Sequence, residues 1–170
     1  LAGVYSLKKG MIYIDDKNVG INSDIRFLSK EVTQFPVIPD LQTIKEFLTE
    51  NSNEKTDFKL INLLNYFNLE KIIPRLDSAA GSMQSNLSGG MLQRLAIIRM
   101  ILSPPKPIIL LDECTSALDK NNSNLAIKKI IDTFEDSIVI FSTHENLENS
   151  LFNKHYLIKN KNLIAQSIER

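Results

Sequence analysis

Apolar residues along this chain fall in short bounded groups, and the spacing inside each group predicts its element. Residues 11–14 (MIYI) form a short apolar strand closed by the turn formers Asp15, Asp16 and Asn18. A second strand is expected at residues 31–33, ended by Pro36 and Pro39. From residue 41 to 67 the period becomes helical. Ile44, Phe47 and Leu48 share one face, and Ile61, Leu64 and Phe67 another, behind Thr56 or Asp57 as N-caps. Residues 41–77 therefore read as all-helical. A polar, small-residue stretch then leads into a helix over 91–102, apolar around most of its circumference and so buried. Prolines at 104, 105 and 107 stop that helix. Residues 108–111 and 138–141 read as buried strands, with a helix over 123–134 between them that carries Leu125, Ile127, Ile130 and Ile131. Strand, helix, strand implies a parallel, right-handed crossover, and open parallel sheets bind ligands at their carboxyl edge.

Composition narrows the function classes. At 170 residues the chain suits one domain, and neither repeats nor linkers divide it. Twenty basic and 20 acidic side chains cancel, so no global field draws it to nucleic acid or anionic lipid. The 43% hydrophobic and 24% charged content is that of a globular domain, which sets disorder aside. The lone cysteine, Cys114, forbids an intrachain disulfide and a cysteine zinc cluster, and fits a reducing compartment. No apolar run approaches the roughly 20 residues of a membrane-spanning helix. The opening LAGVYSLKKG has no signal-peptide pattern and starts on Leu1 instead of Met, so a fragment is expected.

Three places carry candidate chemistry. Asp112 and Glu113 end a strand of aliphatic residues, where adjacent carboxylates are costly unless a cation sits nearby; one can hold magnesium while the other accepts a proton from water. A surface acid pair explains them as well. Ser88, Gly89 and Gly90 open the buried helix, with a serine N-cap and glycines that let backbone N–H groups approach an anion. In isolation an ordinary cap is the simpler reading. His144 follows the strand at 138–141, next to the carboxylate pair by the crossover argument, where imidazole suits a phosphate or its attacking water. A packed core histidine is the commoner case. Gln34, after the second strand, means nothing alone.

The order of the pieces is more specific than any of them. VTQFP (32–36), LSGGMLQR (87–94), IILLDE (108–113), SALD (116–119) and STHE (142–145) occur in one chain. Together they resemble the nucleotide-binding domain of ATP-binding cassette (ABC) transporters: the Q-loop with Gln34, the signature, Walker B, the D-loop and the switch histidine His144. LAGVYSLKKGMIYIDD resembles the family's stretch just after its phosphate-binding helix. DSAAGSMQSNLSGG (77–90) is similar to the exporter loop of form T-x-V-G-E-x-G: Gly81 fits, while Ser82 replaces glutamate, Ser78 threonine, and Met91 the glutamine after the glycines.

The resemblance implies an α/β fold of the P-loop NTPase kind, a mostly parallel sheet flanked by helices with an inserted all-helical subdomain at about 41–102 of a 1–170 partial domain. It implies an ATPase that powers transport across a membrane, by export, from the cytoplasmic side of the inner face. Its cofactors would be ATP and Mg2+. Its partners would be transmembrane domains, in the same or a separate chain, and a second ATPase domain paired head to tail, with no nucleic acid. Glu113 would be the general base and His144 would steady the phosphate. Ser88, Gly89 and Gly90 would touch the partner's nucleotide, Asp112 and Gln34 would arrange magnesium and water, and Asp119 would couple the two sites.

One expected part is missing. No glycine here begins a G-x-x-x-x-G-K-[S/T] phosphate loop. Charge-assisted hydrogen bonds contribute about 1.5–3 kcal/mol each, so losing three removes about 5 kcal/mol or more, over about three decades in dissociation constant. The P-loop strand and helix are therefore expected to lie before residue 1, with residues 1–3 as their tail. Residues 1–170 alone are expected to be inactive, with unpaired strand edges. A soluble ABC ATPase of the DNA-repair type, or a degenerate cassette serving as a docking module, are the alternatives. The sequon at Asn86 is discounted, since it falls in a cytosolic phosphate-site turn.

Overall fold

The computed structural model describes residues 13–14, 16–18, 26–52, 57–79, 81, 87–144 and 149–166. Its organising element is a three-stranded parallel sheet in the order β3 (Ser29–Val32), β4 (Ile108–Asp112), β5 (Ile138–Ser142). Ile109 and Leu111 point to the buried side of β4 and are 0% and 2% exposed, as the two-residue period of a strand requires. The register pairs Val32 with Leu111 and Asp112 with Ser142. Gln34, Glu113 and His144 consequently leave the sheet at the same carboxyl edge. Helix α4 (Lys120–Thr133) forms the crossover between β4 and β5.

The core lies where helices cover this sheet. Helix α3 (Gly89–Leu102) is its axis, burying Leu95, Ile97 and Ile98 completely, as its near-continuous apolar sequence predicts. Ser88 caps its start by accepting from the Met91 N–H at 3.2 Å. At its other end the Ser103 hydroxyl donates to Arg99 and Met100 carbonyls, and Pro104 follows. Helices α1 (Ile44–Thr49) and α2 (Asp57–Tyr66) pack on α3, and side chains from the sheet and all four helices form one buried cluster. Across the α1–α3 contact, the Arg99 guanidinium lies 4.4 Å from the Phe47 ring centroid and pairs with Glu50.

Helix α1 is only six residues long and depends on its first turn. The Thr43 hydroxyl accepts from Glu46 N–H at 3.1 Å while the Glu46 carboxylate accepts from Thr43 N–H at 2.8 Å, a reciprocal capping box. Thr43→Ala should destabilise the protein by about 1 kcal/mol. A lowered urea midpoint with unchanged slope checks this, and an unchanged midpoint contradicts it.

Several expected boundaries move. The second strand begins at Ser29 and excludes Thr33; α3 starts at Gly89, two residues early, because Ser88 caps it; and α4 starts at Lys120, where Asp119 caps it. Helix α2 buries Leu60, Leu63 and Leu64, while Ile61 is only half-buried. On α4, Leu125 faces solvent and Ala126 takes its expected place in the core. The helical zone is closed by a 3-10 segment, Glu70–Arg75, which its internal Pro74 keeps from forming a regular α-helix. Strand β5 is not fully buried: Ile138 is 64% exposed and Ile140 37% on one face, while Val139 and Phe141 on the other pack against the core. Residues 1–3, 11, 12 and 15, Thr56, residue 80 and residues 82–86 lie outside the described residues. Within the first apolar group the described residues form a two-residue strand, β1 (Tyr13–Ile14), paired antiparallel with β2 (Lys17–Asn18).

The sequence reading did not include the hairpin of β6 (His155–Lys159) and β7 (Asn162–Gln166). Its two-residue turn, Asn160 and Lys161, has φ of 51° and 64°, the left-handed pair that a twisted hairpin prefers. Phe152 ties this region to the sheet through edge-on contacts with Phe141 at 5.3 Å and His155 at 5.7 Å.

Candidate functional site

The end of β4 holds the chemistry. Glu113 lies just past the strand, its N–H donating to the Ser142 carbonyl at 2.9 Å and its φ at 45°. A left-handed backbone at a non-glycine residue is unfavourable, and such residues concentrate at sites where a side chain must be aimed. Here it directs the carboxylate to meet two neighbours. The Gln34 side-chain amide donates to Oε2 at 2.6 Å, and His144 Nδ1 lies 2.9 Å from Oε1. The imidazole nitrogen and the carboxylate are within hydrogen-bond distance, with Nδ1 as donor in the tautomer that carries its hydrogen there. Glu113 is about one quarter exposed and His144 more than two thirds exposed, so the group opens to solvent. A carboxylate oriented through both oxygens, and reachable by water, can act as a general base.

The helix starts lie around a second locus, the turn that follows Glu113. Gly90 packs so tightly that a Cβ on it would sit 2.7 Å from the Ala117 carbonyl oxygen, a separation only glycine permits. Gly89 has more room, its nearest neighbour being the Ala117 Cβ at 3.6 Å. Asp119 caps α4 by accepting from Asn122 N–H at 3.0 Å and from the Asn122 side chain at 2.6 Å. Those hydrogen bonds hold its carboxyl below the usual aspartate range. Arg94 anchors α3 elsewhere, donating to the Phe67 carbonyl at 2.7 Å and to the Asn68 carbonyl at 3.3 Å.

Residues 1–116 match the model of the family described as ABC transporter. The chain belongs to this family. Relatives of the ABC chain include the ABC multidrug transporter mdr1 of Aspergillus fumigatus, 29% identical over 92% of this chain and 13% of that protein. Another is the energy-coupling factor transporter ATP-binding protein EcfA of Onion yellows phytoplasma, 33% identical over 85% of this chain and 54% of that protein. The chain thus spans about an eighth and about half of these two relatives' lengths. In fold it is similar to a bacterial Atm1-family ABC exporter solved with ATP bound, at a TM-score of 0.64 and 23% identity over 79% of this chain and 24% of that one. It is an ABC-type ATP-binding domain with the α/β architecture and parallel sheet of P-loop NTPases.

Within this ABC domain, Gln34, Glu113 and His144 are joined by direct hydrogen bonds. Ser88, Gly89, Gly90 and Asp119 stand instead at the helix starts beside the turn at 116–118, and Asp112 is exposed opposite Ser142. No group of three or more His, Cys, Asp or Glu is placed to hold a metal among the described residues. Lone carboxylates suit Mg2+, which takes most of its ligands from phosphate and water, better than a metal needing an all-protein cage. Sequence reading missed Gln93. It is 2% exposed, and its signal was a polar residue on a helix otherwise read as apolar all round.

Proposed function

We propose that this chain is the ATP-hydrolysing domain of an ABC transporter and powers export. The observation that carries this reading is Glu113 held between Gln34 and His144 at one sheet edge. In this reading Glu113 takes a proton from water as the water oxygen attacks the γ-phosphorus, the bond to the β,γ-bridging oxygen breaks, and ADP leaves. Gln34 orients the carboxylate and the water, and His144 steadies the γ-phosphate. Mg2+, near Asp112 and Gln34, would neutralise charge on the phosphates. Ser88, Gly89 and Gly90 present the α3 N-terminus to the triphosphate of a second ATPase domain paired head to tail, and Asp119 adjoins that contact. Transmembrane domains, in this or another chain, convert the cycle into transport at the inner face of the membrane. No helix among the described residues is long and apolar enough to cross a membrane itself.

Residues 1–170 by themselves do not turn over ATP in this account, because they contain no G-x-x-x-x-G-K-[S/T] loop. The alternative reading is a docking module without turnover.

Gly89→Asp separates the two. An acidic residue in the first turn of a helix is favourable by about 0.3–1 kcal/mol, and the site has room for a side chain. Stability should hold or rise. ATP turnover by the intact transporter should fall at least about tenfold, since the new carboxylate faces the phosphate. Unchanged turnover rejects the anion site, and absence of turnover in the unsubstituted transporter supports the docking module.

A further inference from the structure

Gln93 is a buried polar side chain on the axis helix of the core, and its amide bonds through both its nitrogen and its oxygen. Its nitrogen donates to the Gln34 carbonyl at 3.1 Å, the Glu113 carbonyl at 3.3 Å and the Ser116 hydroxyl at 3.1 Å. Its oxygen accepts from the Ala117 N–H at 2.9 Å. Two N–H hydrogens serve three acceptors, so one is shared, and no donor capacity is left over. The two carbonyls belong to the residues whose side chains meet 2.6 Å apart at the proposed base. The other two partners belong to the turn that Gly90 touches.

We propose that Gln93 is the positioning residue of this site: its amide locks α3 to the main chain of Gln34, Glu113 and the 116–117 turn. Displacement of the α3 N-terminus is thereby passed to the Glu113 carboxylate. The inference rests on the proposed hydrolytic reading and adds to it the element that sets the base's position. Burial supports the assignment, because the Gln93 side chain is itself buried and an amide there that lost its partners would be costly. Geometry supports it too. Gln93 lies one helical turn beyond Gly90, so a shift at the helix start and a shift of the amide are one rigid motion.

Gln93→Met keeps the length of the side chain and removes every hydrogen bond. Gln93→Glu keeps an acceptor for Ala117 and removes the amide donors. In the intact transporter both substitutions should lower kcat for ATP by about tenfold to a hundredfold, the cost of misplacing a catalytic group by about an ångström. KM should stay within about twofold. Hydrogen exchange at the Ala117 amide should accelerate in Gln93→Met and not in Gln93→Glu. A kcat equal to the unsubstituted protein's in either folded variant overturns the proposal. So does a loss of activity that disappears on cooling, which would mark a purely structural role. If Gln93→Met does not fold, Gln93→Glu decides by the same kcat criterion. Should the unsubstituted transporter hydrolyse no ATP, the hydrolytic reading fails by itself. Ala117 exchange in Gln93→Met then decides the lock: faster exchange upholds it and unchanged exchange overturns it.

Discussion

Glu113→Gln should lower ATP turnover by the intact transporter by about 10²- to 10⁴-fold, the usual contribution of a positioned general base. The substitution is nearly isosteric, and one of its two hydrogen-bonded neighbours can adapt. A glutamine oxygen still accepts from Gln34, while the new amide faces His144, whose ring accepts once its other nitrogen carries the hydrogen. Folding should therefore be preserved and proton acceptance lost. Glu113→Asp should recover little, because shortening the side chain pulls the carboxylate away from both partners, now 2.6 and 2.9 Å away. Turnover is measured as phosphate release at saturating Mg-ATP. A loss of less than about threefold would remove Glu113 from the role of base.

The second large effect concerns stability. Ile109 is fully buried in β4, the strand that pairs with both of its neighbours in the sheet. Ile109→Ala should cost about 2–5 kcal/mol, from lost burial plus the cavity left in a packed interior. Ile109→Val, removing one methylene, should cost only about 0.5–1.5 kcal/mol. Against a total stability of about 5–15 kcal/mol, the alanine variant should melt far below the unsubstituted protein. Because β4 also presents Asp112 and Glu113, loosening it should impair turnover near the melting temperature and spare it well below. Equal denaturation midpoints for the alanine and valine variants would contradict the close-packed strand.

Much of this architecture was readable from residue order. The buried α3, the aliphatic β4 and the prolines between them are strong local signals, and the structure places each within two residues of expectation. Helix starts were less legible. Capping is a property of three or four residues around one serine, threonine or aspartate, and it extended α3 and α4 beyond the first apolar residue of each. Strand β5 is apolar in composition yet exposes Ile138 and Ile140, because burial depends on what packs on each face of the sheet and not on the strand's own residues. The hairpin at 155–166 turns on Asn160 and Lys161, and a lysine in the left-handed region is an unusual turn former.

The candidate site divides in the same way. Residues at the ends of adjoining parallel strands could be placed by topology, so Glu113 and His144 were expected side by side, and there they touch; Gln34, which entered only through the resemblance, meets the same carboxylate. Long-range bridging by one side chain leaves no pattern along the chain. Gln93 joins residues 59 and 20 positions away in sequence, which only the folded arrangement reveals. The tight seat of Gly90 against Ala117 is likewise a tertiary fact, since a Gly-Gly pair reads equally as a turn or as a close approach.

The most direct test of Glu113 as the base is the identity of the nucleotide bound to the Glu113→Gln transporter. After incubation with Mg-ATP and rapid removal of free nucleotide, the retained nucleotide is extracted and separated by chromatography. Intact ATP held by a paired dimer is the result this account predicts. Recovery of ADP in amounts matching the unsubstituted transporter would contradict it.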